Sequence, residues 1–61
     1  MNRIKELREE KHITQVRLSI ELEVSQETIS AYEKGIQMPT GNNILRIAEV
    51  LGVEPKDLVV G

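Results

Sequence analysis

The chain has 61 residues, with 8 Lys+Arg against 10 Asp+Glu and a net charge of -2. It contains no Cys, Trp or Phe, one Tyr and one His. These counts allow one small domain over residues 1–61 and exclude a disulfide framework, a thiolate zinc site and a metal cluster.

A domain of roughly 60 residues buries only about 60 % of the surface its unfolded chain exposes. The apolar residues, 39 % of the sequence, are barely enough for one core and leave little to wall a pocket of ~300 Å³. No nucleophile–base pair and no paired acid site emerges. An enzyme, a cofactor and a small-molecule substrate are therefore not expected. No apolar run approaches the ~20 residues of a membrane span, and no basic-then-apolar leader opens the chain. The expectation is a cytoplasmic protein without a membrane partner. The acidic balance offers no net attraction to a polyanion, an objection that the arrangement of side chains has to meet.

The pattern is helical wherever it is readable. The first segment, Asn2 to about Lys11, places Ile4 and Leu7 on one face, and Asn2 can cap it. The second helix, about 14–22, starts at Thr14, a good N-cap residue, and carries Leu18 and Leu22 at i,i+4. Ser25 caps the third, about 25–34, which buries Ile29 and Tyr32 and stops at Gly35, where a left-handed residue is expected. Thr40 caps a fourth helix with the widest apolar face, Ile44, Leu45, Ile47, Ala48 and Leu51. Gly52 ends it, and Glu54 and Pro55 open a last short helix through Leu58. Five helices joined by short connections predict a compact all-α five-helix bundle.

The informative stretch is Thr14 to Gly35, TQVRLSIELEVSQETISAYEKG. Only Glu23 and Val24 separate its second helix from the Ser25 cap, so the two helices must cross steeply, as in a helix-turn-helix. Ser19 supplies the small side chain that the crossing admits, and Val24 and Ile29 plug the angle between the helices.

With these residues the chain resembles the phage Cro/CI repressor, or Xre-type, helix-turn-helix domain, whose fold is lambda repressor-like. The likeness covers nearly the whole chain. It includes RIKELREEK, T-Q opening the second helix, and V-S-Q-x-T-I-S opening the third. It continues through Y-E-K-G, P-T, I-A-x-x-L-G-V and P-x-D-L. The resemblance implies a sequence-specific DNA-binding transcriptional regulator, a repressor, that presents its third helix to the major groove of a double-stranded operator. It implies base readout by Gln26, Glu27, Ser30 and Ala31. The Gln26 amide suits an adenine N6/N7 edge, unless it is simply a solvated surface Gln. Glu27 accepts from a cytosine amino group or points away from the DNA. Ser30 can bond several bases or a phosphate. Ala31 departs from the long polar residue common there and offers only a methyl.

The resemblance further implies backbone contacts by Thr14, Gln15, Thr28 and Lys34, with the N-terminus of the second helix directed at a phosphate. Thr14 also serves as an N-cap, and Lys34 suits a helix C-terminus even without DNA. Arg8 and Glu33 match a structural pair joining the first and third helices; otherwise they are two separate solvated charges.

Ile36, Gln37 and Met38 stand where relatives often carry phosphate-gripping cations, and residues 12–35 sum to -2. His12 and Glu23 stand where Gly is usual, in positions expected to be left-handed. Val16, Ile20, Ile36, Met38, Val59 and Val60 are candidates for exposure. The last four, near the loop and the last helix, suggest a homodimer, which would set two third helices about 34 Å apart. The alternative is a protein-interaction module, or an antitoxin-like protein, that keeps the fold with weak or lost DNA binding.

Overall fold

The computed structural model describes residues 2–59. Four α-helices follow one another: α1 (Ile4–Glu10), α2 (Gln15–Leu22), α3 (Gln26–Lys34) and α4 (Gly41–Leu51). No strand occurs among the described residues; the only pairing of that kind is one antiparallel bridge between Asn2 and Val59.

The expected fifth helix is a single 3-10 turn, Pro55–Asp57. Its bonds run i to i+3, from Asp57 N–H to the Glu54 carbonyl and from Leu58 N–H to the Pro55 carbonyl. Pro55 lacks an N–H, and the Leu58 carbonyl is already taken by Arg3 N–H at 2.9 Å. That cross-link draws the chain into the Asn2–Val59 bridge instead of another helical turn.

Three helix starts follow the sequence reading. The hydroxyls of Thr14, Ser25 and Thr40 accept from the N–H of Arg17, Thr28 and Asn43, at 3.0, 3.1 and 3.2 Å. Each fills one donor that a helix start leaves unpaired. The first helix begins later than expected, with Arg3 at the cap position. Asn2 nevertheless takes the Ile4 N–H on its Oδ1 at 3.0 Å and donates Nδ2 to the Tyr32 carbonyl at 2.8 Å. It ties the chain start to α3 as well as to α1.

All four helices end alike. His12, Glu23, Gly35 and Gly52 have positive φ. The next residue then donates its N–H back five positions: Ile13 to Arg8, Val24 to Ser19, Ile36 to Ala31 and Val53 to Ala48, at 2.9–3.1 Å. This is the Schellman ending, in which an apolar residue after the left-handed one packs against the helix. In three cases that residue, Ile13, Val24 or Val53, packs on the core. Ile36 alone is turned outward, 76 % exposed.

The core is built from Ile4, Leu7, Leu18, Leu22, Ile29, Tyr32, Ile47, Ala48, Leu51 and Leu58. Helices α2 and α3 pack on each other, with α1 and α4 behind them. Ser19 is buried at the α2–α3 crossing and donates its hydroxyl to the Val16 carbonyl at 2.7 Å, so the small residue there carries its own polar partner. Leu45 departs from its expected place on the buried face of α4. It is 58 % exposed, since Ile44, Ile47, Ala48 and Leu51 already supply that helix's contact stripe.

Glu23, at φ 58 and ψ 42, occupies a region that costs an L-residue with a Cβ. Glu23→Gly is expected to stabilise the domain by roughly 0.5–1 kcal/mol, the left-handed penalty net of glycine's extra unfolded-state entropy. A thermal melt reads the outcome; an unchanged or lowered midpoint contradicts it.

Candidate nucleic-acid interface

The site begins with a buried ion pair. Arg8 on α1 and Glu33 on α3 have side chains only 9 % and 3 % exposed. Arg8 Nε donates to Glu33 Oε2 at 2.6 Å and Nη2 to Oε1 at 3.3 Å. Arg8 Nη1 donates to the Ile13 carbonyl at 2.8 Å. A guanidinium matches a carboxylate as a two-pronged fork, and the Ile13 carbonyl occupies a donor left outside the fork. The two residues are therefore partners and not separate solvated charges.

Glu33 extends this pair to the surface. Its Oε1 also accepts from Gln15 Nε2 at 2.9 Å, and Gln15 Oε1 accepts from Gln26 Nε2 at 3.3 Å. A carboxylate can only accept. Gln15 must therefore turn its amino group to Glu33 and its carbonyl toward Gln26. Gln26 in turn commits one amino hydrogen to Gln15, which leaves its Oε1 and the second N–H for another partner. The ion pair thus sets the orientation of both amides. Sequence reasoning assigned Gln15 and Gln26 separate roles and missed their link. A signal was present: each glutamine directly follows a capping residue, Thr14 or Ser25, so each opens its helix at the same position.

The remaining expected residues fall into three places. Glu27 and Lys34 are exposed on α3, and Ser30 and Ala31 are half-buried. These four and Ile36 line one shallow hollow of about 260 Å³. Thr14 is engaged as the α2 cap. Thr28 Oγ1 lies 2.9 Å from Ser25 Oγ, within the cap of α3. Lys34 lies at the C-terminal end of α3, where its charge is favourable to the helix.

Surface charge is muted around this site. Arg17 pairs loosely with Glu21 at 3.4 Å, in solvent. On α1, Arg3 pairs with Glu6 at 3.1 Å. The Arg3 hydrogen bond, and then its charge, hold the Glu6 carboxyl below its usual range, while Glu6 raises Arg3 above its own. This contribution is present above the ordinary carboxylate range and is lost as pH falls through the depressed Glu6 value. Elsewhere, Asn2, Ile4, Met38, Pro39, Ile44 and Val59 border a groove of about 210 Å³. Met38 and Val59 are exposed there, as are Val16 and Ile20 on α2; Val60 lies outside the described residues. No helix among the described residues is long and apolar enough to cross a membrane.

Two helices crossing at a three-residue turn, with the second opening outward beside a polar relay, define a helix-turn-helix protein. A helix-turn-helix family model matches residues 4–58, and the chain belongs to the Cro/CI-type helix-turn-helix family. A solved structure from Bacteroides fragilis, of a protein provisionally described as DNA-binding, superposes with a TM-score of 0.90 at 33 % identity. The match covers 95 % of this chain and 94 % of that one. No curated protein matched the sequence.

Glu33→Ala leaves the Arg8 guanidinium buried with one carbonyl partner. It is expected to cost ~3–5 kcal/mol, a large part of the ~3–9 kcal/mol available to a domain of this size. Urea denaturation measures it. A loss below about 1 kcal/mol is what exposed charges give and would reject the burial argument.

Proposed function

We propose that the chain is a sequence-specific DNA-binding transcriptional repressor that reads the major groove with α3 and acts in the cytoplasm as a homodimer. The observation that carries this reading is the Arg8–Glu33–Gln15–Gln26 relay. It presents a pre-oriented amide at the first turn of α3, where the acceptor and donor of an adenine N6/N7 edge can be met together. Membership of the helix-turn-helix family and the likeness to a protein provisionally described as DNA-binding support the same reading. The function is binding without a catalytic step: occupancy of an operator is the regulatory event.

Gln26, Glu27, Ser30 and Ala31 face base edges in this reading. Thr14, Gln15, Thr28 and Lys34 meet the backbone, and Arg8 and Glu33 hold α3 in place. The opened start of α2 adds N–H donors toward a phosphate. The net charge of -2 then limits affinity without forbidding binding, because helix ends and neutral donors do much of the phosphate contact. A dimer doubles those contacts and places two α3 helices on successive major grooves about 34 Å apart.

A second reading is favoured by one observation. Met38 and Val59 are exposed and border a largely apolar groove, as expected if the fold serves as a protein-interaction or antitoxin-like module. Selection from random duplex DNA separates the two, since a module that has lost DNA binding enriches no motif and one that keeps it weakly enriches a motif only poorly.

Two outcomes are expected. Gln26→Ala relaxes preference at one base position of the selected motif by ~1–3 kcal/mol, whereas an unchanged motif removes Gln26 as a reader. In a salt titration, log K against log salt has a slope magnitude below about 4 per monomer; a much steeper slope means more phosphate contacts than proposed.

A further inference from the structure

The four Schellman endings share one backbone design but differ in where they send the apolar residue. At α1, α2 and α4 that residue packs on the core. At α3 the bond from Ile36 N–H to the Ala31 carbonyl, 2.9 Å, and that from Gly35 N–H to the Tyr32 carbonyl, 3.1 Å, bring Ile36 beside Ala31 on the outer face. The hollow of about 260 Å³ that results has an apolar floor of Ala31 and Ile36. Ser30 and Lys34 border it, and Glu27 also lines it.

We propose that this hollow receives the 5-methyl group of a thymine in the major groove, which makes Ala31 and Ile36 specificity-determining residues for an A·T pair. The inference rests on the DNA-reading assignment of α3 made above. Of the groups that the standard bases show in the major groove, the thymine methyl is the apolar one, and the O4 acceptor stands next to it. An apolar floor with the Ser30 hydroxyl at its border matches that pair of groups. Cytosine carries no 5-methyl group and would leave the floor without an apolar partner. Glu27 and Lys34 are seven residues apart, about 10 Å along the helix, so the acidic end is kept from the O4. The short Ala31 side chain makes room for the methyl, and the exposed Ile36 supplies the surface that covers it.

The test begins with a duplex selected by the wild-type protein from random DNA. Each thymine is then replaced in turn by deoxyuridine, which removes only the methyl. Binding is expected to weaken about fourfold at one position per half-site, the worth of one buried methyl. At that position the penalty should fall below about twofold with Ile36→Ser, because the floor is then polar. Ile36 lies outside the core, so this variant keeps the fold. A scan in which no deoxyuridine matters, or a penalty that Ile36→Ser leaves intact, overturns the proposal while DNA binding stands. If no duplex is enriched at all, the DNA-reading assignment itself falls.

Discussion

The Arg8–Glu33 pair is the constraint on which the rest depends. Removing two charges from water costs several kcal/mol per ion, and only good geometry with filled hydrogen-bonding sites offsets it. Here the fork is closed, Ile13 takes another guanidinium donor, and Gln15 uses the remaining reach of Glu33. Four pieces of the chain converge on this point: α1, the connection after it, the start of α2 and the end of α3. The apolar hold on α3 is slight by comparison, with Ile29 and Tyr32 its only buried apolar side chains. Tyr32 adds polar ties, its hydroxyl accepting from Asn43 at 3.1 Å and its carbonyl from Asn2. An apolar contact alone would tolerate some rotation of α3. A two-pronged ion pair has one direction.

A core this small therefore does less of the positioning than the polar geometry around it. The side chains of Thr14, Ser25 and Thr40 set where helices begin. The left-handed residues His12, Glu23, Gly35 and Gly52 set where they stop. Arg46 adds a hydrogen bond from α4 to the Glu21 carbonyl at the end of α2, at 3.0 Å. Each is a modest local preference. Because they agree along the chain, a domain with little buried surface still specifies one arrangement.

Much of this is legible in the residues. Cap hydroxyls announce themselves because their effect is local, within three residues. Ser19 is readable because a steep crossing demands a small side chain, and the core stripe of α4 is readable from its period. The misses are all non-local. Leu45 fits the apolar pattern, yet α4 needs only one contact stripe. The fifth helix fails because Leu58 is bound to Arg3, more than fifty residues away in sequence. The Gln15–Gln26 link depends on the angle between two helices, which residue types alone do not contain.

The shared helix ending bears on how the chain can change. After α1, α2 and α4 the connection is three or four residues long, and the helix-ending hydrogen bonds account for most of it. One added residue in such a segment breaks the helix-ending bonds or shifts the cap of the next helix, and with it the seating of that helix on the core. The segment between α3 and α4 is longer, and Gln37 and Met38 within it are exposed. The stretch next to the helix that faces outward is thus the one where a change of length disturbs the fewest of these bonds. The scaffold stays unchanged in register while the margin of its outer face remains open to variation.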